Sequence, residues 1–336
     1  MLRILYIFLM SMLFFTQLRA QDLHYSQYDF APLYLNPAQT GLFNGDYRVV
    51  ANMRDQWFSV PVPYFTLSSS FDTKLLPART GNNVLSAGGL FHYDRAGDSR
   101  LSFSNILLNV SYHQQIAKGW FLGAGINAGF GQRRFRRDKM TFDDQFNGDV
   151  FDPNIVSADF SNLNRPLLSY MEIGTGLNLR YQKSSRTWLN AGLAFVHLNS
   201  PKQSFLGQDI RLKMRTTISA NASVQIHSKW DLVPTVLFQN QGTYREFLFG
   251  MLSRYHLNQN PGRETALFFG IHNRLSDAIA PVIGVNYQTW QLGFSYDFNI
   301  SKFNAATDYN GAFELSLIYI WRKVPGLPTV KTCPVF

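Results

Sequence analysis

The chain has 336 residues, of which 15% are aromatic and only 16% are charged, whereas about a quarter of the residues in typical soluble domains are charged. This composition argues against an ordinary soluble protein, and the single cysteine, Cys333, excludes an intramolecular disulfide framework. The formal net charge of +9 would suit anionic lipid, an acidic partner or nucleic acid, so it does not discriminate among them.

The first twenty residues have the pattern of a cleaved secretory signal peptide. Arg3 precedes an apolar run from Ile4 to Phe15, and the small residue Ala20 stands before Gln21. A membrane-anchoring helix is the alternative, but the run is shorter than the roughly 18 apolar residues that a transmembrane helix needs. We therefore expect the mature chain to begin at Gln21. Loss of Arg3 and Arg19 would leave 29 basic and 22 acidic residues, a formal charge of +7.

Residues 21–45 lack strand-like alternation, and we predict that they form a plug-like segment that partly fills the lumen of a barrel. Asn36 before Pro37 is a turn signal, and Gly41 permits a positive φ. The barrel is predicted to span residues 46–323. The Pro-rich residues 324–336 are predicted to form a periplasmic tail.

Period-two alternation of apolar and polar residues predicts an all-β fold, a transmembrane antiparallel β-barrel. In residues 291–300, for example, apolar side chains occupy every second position and small or polar residues occupy the positions between them. The apolar residues are Leu292, Phe294, Tyr296, Phe298 and Ile300, and the others are Gly293, Ser295, Asp297 and Asn299. No stretch after the leader is apolar and long enough for a spanning helix, so a membrane location requires strands. About fourteen strands are predicted, at 46–54, 63–73, 84–94, 100–114, 119–132, 167–182, 187–199, 209–227, 230–240, 243–256, 264–273, 279–287, 289–300 and 310–322.

The connection lengths predict an orientation. With a periplasmic N-terminus, the even-numbered connections are periplasmic and should be tight. Four of them are, at 115–119, 183–186, 227–229 and 288–289, although the second and tenth are longer, at about ten and seven residues. The longest connection, 133–166, is the fifth and falls outside the cell. We therefore predict an outer-membrane protein with both termini in the periplasm.

Tryptophan supports the same orientation, because its ring prefers the membrane–water interface. Four tryptophans open strands that leave a predicted periplasmic turn, and a fifth closes the last strand on that side. Separate core packing of each ring is the alternative, but it gives no reason for them to share one side. The predicted interface girdle consists of Trp120, Trp188, Trp230, Trp290 and Trp321.

No motif in the sequence points to catalysis, a cofactor or a metal. The spacing of Gly123, Gly125 and Gly129 only superficially resembles a dinucleotide loop, and it lies inside a predicted strand, where glycine on the lumen side would leave room for a plug or a channel. The seven histidines have no ligand spacing and are interpreted as interface or lumen residues. We therefore predict no enzymatic activity and no cofactor.

The fifth connection carries a charge pattern with two interpretations. Its basic residues are followed by acidic ones, so the loop could bind a partner electrostatically, or its opposite charges could satisfy one another. Carboxylates can also hold calcium, but the spacing does not match a calcium loop. The basic run is Arg133, Arg134, Arg136, Arg137 and Lys139, and the acidic residues are Asp143, Asp144, Asp149, Asp152 and Asp159.

Several short motifs resemble the PorP/SprF family, outer-membrane components of the type IX secretion system of Bacteroidetes. The N-terminal motifs are Ser26-Gln27-Tyr28, Asn36-Pro37-Ala38, Gly41, Arg54 and Gln56-Trp57. The C-terminal motifs are Ser295-Tyr296-Asp297 and the run Gly311 to Leu317, which contains Glu314. Asp144-Gln145-Phe146 in the long loop also resembles a family feature.

The resemblance implies a non-enzymatic role in secreting proteins or in holding adhesins at the cell surface, including those used in gliding motility. The implied partners are other secretion components, the C-terminal sorting domain of a cargo protein and outer-membrane lipid, but not nucleic acid. Glu172, Arg180, Asp297 and Glu314 are then expected to face the lumen and hydrogen-bond the plug-like segment. A passive channel for hydrophobic or small solutes remains the alternative, because a fourteen-stranded barrel with a hatch permits it.

Overall fold

The computed structural model describes residues 22–56, 64–76, 83–97, 99–136, 140–152, 154–155, 157–158, 166–205, 207–301 and 310–322. Several residues and segments that the sequence analysis singled out lie outside these ranges. They are the signal peptide, Trp57, Arg137, Lys139, Asp159, the tail 324–336 and Cys333.

Fourteen strands form one closed antiparallel barrel in the described part of the chain, which confirms the predicted fold class. They are β1 (Tyr47–Gln56), β2 (Tyr64–Leu76), β3 (Val84–Ala96), β4 (Leu101–Ala117), β5 (Trp120–Arg134), β6 (Leu167–Gln182), β7 (Trp188–Val196), β8 (Arg215–Gln225), β9 (Trp230–Gln241), β10 (Tyr244–Asn258), β11 (Thr265–Arg274), β12 (Ala278–Tyr287), β13 (Trp290–Asn299) and β14 (Asn310–Trp321). Each strand pairs with its sequence neighbours, and β1 pairs with β14 to close the barrel.

The helical elements whose bounds are described are single turns. Helix α1 spans Pro32–Leu35, and 3-10 turns span Tyr28–Phe30, Pro37–Gln39 and Asp143–Gln145. No helix in the described ranges has the length and apolar character to cross a membrane.

The two faces of the wall differ as the alternation predicts. On β6, Met171, Ile173 and Leu177 are exposed on the outer face, whereas Glu172 and Asn178 are buried on the inner face. Side chains alternate between the faces of a strand, so a period-two sequence produces an apolar exterior and a polar interior. An apolar exterior of this kind suits contact with lipid chains.

The two ends of the barrel also differ. The turn end carries the even-numbered connections, among them 118–119, 183–187, 226–229 and 288–289, together with the first residue of β1 and the last of β14. The loop end carries the odd-numbered connections. Two long ones are the fifth, residues 135–166, and the seventh, residues 197–214.

Two strand boundaries at the loop end differ from prediction by three residues or more. β8 begins at Arg215 rather than at 209, because the residues before it pair within their own loop: Lys202 bridges Arg211, and the Leu212 N–H donates to the Pro201 carbonyl at 2.9 Å. β7 ends at Val196 rather than at 199, where His197 adopts a φ of +60°. A left-handed residue breaks the extended backbone that pairing requires.

Candidate functional site: the plugged lumen

Residues 22–45, here called the plug, lie inside the barrel and run from its loop end to its turn end. The Asp22 N–H donates to Gln241, the last residue of β9, at 3.1 Å. At the other end, the Asp46 N–H donates to the Trp321 carbonyl at 2.9 Å. The first described residue therefore lies toward the opposite end of the barrel from Trp321. The side on which the two chain termini lie stays a prediction. Sequence patterns locate the strands, but carry no signal for the direction in which a preceding segment threads the lumen.

Apolar side chains of the plug pack against different sides of the inner wall. Phe30 is fully buried in a cluster with residues of β1, β9, β10, β11, β12 and β14, and its ring centroid lies 5.8 Å from that of Phe268. Leu33 packs against Leu90 and Leu107 on the other side. Contacts in several directions hold the plug in one position more firmly than contact with one side of the wall would.

Two carboxylates and two arginines bind the plug at Ser26 and Gln27. The Ser26 and Gln27 N–H groups donate to the two carboxylate oxygens of Glu314 at 2.7 and 2.8 Å. The Ser26 hydroxyl donates to Asp297 at 2.8 Å. All four residues are at most 1% exposed, so these hydrogen bonds are shielded from water, where charge-assisted bonds are strongest.

The arginines of this cluster connect the carboxylates to one another. Arg54 pairs with Glu314 and, at 2.9 Å, with Asp297, while Arg274 donates to Asp297 at 2.8 Å and to the Ser26 hydroxyl at 2.5 Å. The charges come from β1, β11, β13 and β14, so they join the strands on either side of the barrel closure. Buried carboxylates are tolerated here because each meets a guanidinium group.

A second charged cluster holds the start of the plug. Asp22 lies 2.7 Å from the His197 ring and 3.3 Å from the Arg215 guanidinium, and His197 lies 3.4 Å from Glu172. Burial alone would raise the pKa of Asp22, but the nearby His197 and Arg215 outweigh it and lower that pKa below its usual value. The Arg215 guanidinium also stacks 4.2 Å from the centroid of the Tyr34 ring.

The Asn36-Pro37-Ala38 motif forms a tight turn against the glycine-rich wall of β5, β6 and β7. The Asn36 side-chain oxygen accepts from the Ala38 N–H at 2.8 Å, and its amide donates to the Leu177 carbonyl at 2.9 Å. A Cβ on Gly125 would lie 2.5 Å from the Ala38 nitrogen. Glycine on the lumen face therefore makes room for the plug, which is the reason we predicted for it.

The plug leaves the lumen at Gly41, which adopts the left-handed φ of +72° that its turn requires. The Gly41 N–H donates to the Asp72 carboxylate at 2.7 Å. Arg48 pairs with Asp72 at 2.8 Å and donates to the Gln39 carbonyl at 3.0 Å. A buried ion pair thus fixes the exit of the plug, as the pairs of Arg54 and Arg274 fix the plug near its start.

The chain matches the family model described as type IX secretion system membrane protein PorP/SprF over residues 17–319. It belongs to the PorP/SprF family. This confirms the family that the motifs indicated, and makes the barrel a membrane barrel of the type IX secretion system.

Solved structures resemble this PorP/SprF barrel at low sequence identity. The toluene transporter TbuX of Ralstonia pickettii is 14% identical with a TM-score of 0.49, covering 86% of this chain and 92% of its own. The toluene transporter TodX of Pseudomonas putida is 10% identical with a TM-score of 0.49 and the same coverage. A FadL homologue of Pseudomonas aeruginosa is 10% identical with a TM-score of 0.41, covering 85% and 93%. No curated protein sequence matches the chain.

The remaining residues of the PorP/SprF motifs near the closure have structural contacts. Tyr28 is buried beside His272, with ring centroids 5.7 Å apart. The Gln56 side chain accepts from Arg54 at 3.3 Å. A Cβ on Gly311 would lie 2.9 Å from the Asp297 Cβ, so glycine lets β14 approach β13 there.

In the Asp144-Gln145-Phe146 motif, the first two residues form hydrogen bonds within the loop and the third is exposed. The Asp144 carboxylate accepts from the Ala158 N–H at 2.7 Å, and the buried Gln145 amide donates to the Ile155 carbonyl at 2.8 Å. Phe146 is 55% exposed and bridges Phe151, which is 44% exposed. The first two residues thus order the loop that presents the third.

The predicted tryptophan girdle needs one correction. Trp120, Trp230, Trp290 and Trp321 lie on the outer face at the turn end, where each packs against a tyrosine at 4.3–5.6 Å. Trp188 is at the same end, but it pairs with Gln182 on the inner face and lies 5.1 Å below the Arg180 guanidinium. A shift of one residue along a strand reverses the face, and Trp188 falls on the lumen side.

The sequence did not single out several residues that bind the plug. Arg274, Arg48, Asp72 and Arg215 belong to no motif, although each is a charged residue on the inner face of a strand, which is a usable signal. Two of the histidines lie in the lumen and bind the plug: His113 contacts the Ala38 carbonyl and His272 the Ser26 carbonyl, at 2.8 and 2.7 Å. Within the described ranges, no group of His, Cys, Asp and Glu is arranged to hold a metal.

A cavity of about 840 Å³ opens above the plug at the loop end. Its wall includes Arg54, Arg274, Asp94, Arg133 and Glu246. The carboxylate of Glu246 is buried, 3.4 Å from the nearest Arg274 nitrogen. The plug therefore forms the floor of a charged vestibule.

Proposed function

We propose that this protein is an outer-membrane component of the type IX secretion system that supports secretion or surface anchoring of cargo through protein–protein contacts. The observation that carries the proposal is the plug, which is fixed by buried ion pairs across the closure between β1 and β14. Removing one partner of such a pair costs about 3–5 kcal/mol. A lumen closed in this way suits a platform better than a passage.

The connection lengths support placing the loop end outside the cell. Short turns at one end and long loops at the other are typical of outer-membrane barrels, whose turns are periplasmic. The four outward tryptophans and their tyrosine partners at the turn end fit an aromatic belt at one interface. Secretion components would then approach the turn end, and cargo the loop end.

The surface that we propose for cargo is the tip of the fifth connection. Phe146, Val150 and Phe151 are 55%, 60% and 44% exposed on a tip held by Asp144 and Gln145. Aromatic side chains on an ordered support are enriched at the centres of protein interfaces. By family, the candidate ligand for this tip is the C-terminal sorting domain of a cargo protein.

A passive channel for hydrophobic solutes is the second candidate. The observation in its favour is a largely apolar concavity of about 740 Å³ in the wall around β11 to β14, β1 and β2. Gln27 and Phe30 of the plug lie directly behind Gly293 in this wall. A solute passing through the wall would therefore meet the plug.

Gene deletion separates the two candidates. We expect deletion to abolish surface delivery of a reporter fused to a sorting domain, and to leave the uptake of an apolar solute unchanged. Loss of uptake with normal delivery would favour the channel instead.

The tip can be tested in the complemented deletion strain. We expect Phe146→Ala/Phe151→Ala to reduce reporter delivery at least about tenfold, as the loss of two interface anchors predicts. The matched control is Ile210→Ala/Leu275→Ala, which removes side chains that are 53% and 59% exposed at the same end. Equal delivery by both double variants would contradict the assignment of the tip.

A further inference from the structure

A basic pocket of about 630 Å³ lies at the loop end, next to the vestibule, with which it shares Ser102. We propose that it binds the phosphate groups of a lipid headgroup in the adjacent membrane leaflet. The inference rests on the proposed outer-membrane placement. Its principal lining residues are four arginines and two aromatic residues: Arg95, Arg100, Arg134, Arg136, Tyr93 and Phe135.

Strand register brings the arginines together on the outer face of the wall. Arg95 on β3 pairs with Ser102 on β4, and Ser102 pairs with Arg134 on β5. Neighbouring strands lie about 4.8 Å apart, so the backbones of Arg95 and Arg134 are roughly 10 Å apart, with a hydroxyl between them. Long side chains can converge on one ligand across that distance.

The other two arginines come from the connections on either side. The Arg136 N–H donates to the Ser99 carbonyl at 2.9 Å, which fixes the start of the fifth connection against the third. Arg100 occupies that third connection with a left-handed φ of +49°. A strained residue at this turn is consistent with a site that needs its side chain there.

None of the described residues that line the pocket is acidic. The nearest carboxylate in the same outward row is Asp55, which is separated from Arg95 by Phe65 on β2. Arg95, Arg100 and Arg134 have no ion pair with any described residue. The ligand class that suits such a set of side chains is a phosphate, because guanidinium matches phosphate in a bidentate geometry.

The position of the pocket favours a lipid over a soluble anion or an acidic protein. Arg95, Ser102 and Arg134 are the outward residues nearest the loop end of their strands. Further along the same outer faces lie Ile106, Leu108, Ile126 and Phe130, which are 62–68% exposed. A phosphorylated head at the arginines would leave its acyl chains against this apolar belt, whereas a soluble anion has no acyl chains to cover it.

The test uses the purified full-length protein in nanodiscs of zwitterionic phospholipid. The probe is diphosphorylated lipid A, compared with the same lipid after its phosphates are removed. We expect tight binding of the phosphorylated form only, and a Kd at least about tenfold weaker for Arg95→Gln/Arg134→Gln, since hydrogen bonds to charged groups are lost. Inorganic pyrophosphate should compete weakly, because it has no acyl chains.

The controls keep the charge or move the change elsewhere. Arg95→Lys/Arg134→Lys keeps both positive charges but removes the paired N–H donors of the guanidinium groups, so we expect intermediate affinity. Because the charges are kept, this variant also serves as a test if the Gln variant does not fold. Arg245→Gln removes an outward arginine from the loop end of β10, on the far side of the barrel, and should bind like the wild type.

Three results would overturn the inference. They are equal binding of phosphorylated and dephosphorylated lipid, unchanged affinity in both arginine double variants, and arginine-dependent binding of a polyglutamate peptide as tight as that of the lipid. The assay contains no secretion partner, so such a failure would leave the proposed secretion role standing. Loss of cargo delivery in the deletion strain would likewise not establish lipid binding.

Discussion

Glu314 is the residue on which the first part of the plug depends most, because its two carboxylate oxygens accept the N–H groups of Ser26 and Gln27 while Arg54 pairs with it. We expect Glu314→Gln to lower the free energy of unfolding by about 1.5–3 kcal/mol, because the charge-assisted hydrogen bonds to Ser26, Gln27 and Arg54 are weakened while Arg54 keeps its ion pair with Asp297. Urea titration of the protein in detergent measures this. Glu264→Gln changes an exposed residue and should cost less than about 0.5 kcal/mol; equal losses would contradict the role assigned to Glu314.

We expect the contribution of Asp22 to the stability of the folded protein to decrease at low pH. Its pKa is lowered in the folded protein by His197 and Arg215, against the effect of burial, so its contribution to stability is complete above the unfolded pKa of about 3.9. The contribution is lost as pH falls below that value, because the unfolded chain takes up the proton first. The stability advantage of the wild type over Asp22→Asn should therefore be larger at pH 7 than at pH 3.

The control for this pH effect is Asp209→Asn, which changes a side chain that is 63% exposed in the seventh connection. It should differ little from the wild type at either pH, because an exposed ion pair contributes little. An Asp22→Asn difference that grew as the pH fell would have the wrong sign for the proposed contacts.

At the residue scale, the sequence predicted part of the site for a physical reason. Asp297 alternates with apolar residues, which indicates a lumen-facing position, and Glu314 was expected to face the lumen with it in a plugged barrel. Both side chains are buried on the inner face. Arg274 was not identified, because a single charged residue at the end of a strand carries no motif. Its pairing with Asp297 depends on the order of strands around the barrel, and period-two patterns do not report distances across the lumen.

At the element scale, glycines on the inner faces of β5, β6 and β7 leave space that the plug occupies. We expect Gly125→Ala to displace the Pro37–Ala38 turn, because the added Cβ would lie 2.5 Å from backbone atoms of both residues. The expected cost is about 1–3 kcal/mol, as for other overpacked interiors, together with faster proteolysis within the plug. Limited proteolysis and urea titration measure the two effects.

Gly89→Ala is the matched control for this change. Gly89 is also a glycine within a strand, but it lies on the outer face, and a Cβ there would meet no atom within 4 Å. We expect it to leave proteolysis of the plug unchanged. Similar proteolysis of the plug in both variants would show that close contact at Gly125 does not hold the turn.

Strands were more predictable than loops, for a reason visible in β8. Burial on one face imposes alternation, and alternation gave the number of strands and most boundaries within a few residues. Residues 209–214 alternate as well, yet they belong to a loop whose backbone pairs with itself through the Lys202 and Arg211 bridge. Alternation identifies an extended segment but not its pairing partner. It also does not settle the face of a residue at a strand end: Trp188 was predicted for the lipid interface and lies on the lumen face.

At the scale of the whole molecule, the direction of the plug gives the orientation of the barrel a functional consequence. If the loop end faces outward, Asp22 and the charged vestibule lie toward the cell exterior, while the exit of the plug at Gly41 lies toward the periplasm. A partner at the turn end and cargo at the loop end would then contact opposite ends of one rigid segment. The proposed role therefore depends on which end faces out.

Labelling of single cysteines in intact cells tests that orientation. In a Cys333→Ser background, Asp149→Cys places a thiol in the exposed fifth connection, and Lys229→Cys places one in the exposed turn before β9. We expect a membrane-impermeant maleimide to label Asp149→Cys in intact cells and Lys229→Cys only after lysis, because the bilayer separates the two ends of the barrel. The reverse pattern would invert the barrel and place Phe146 in the periplasm, where it could contact secretion components but not cargo at the cell surface.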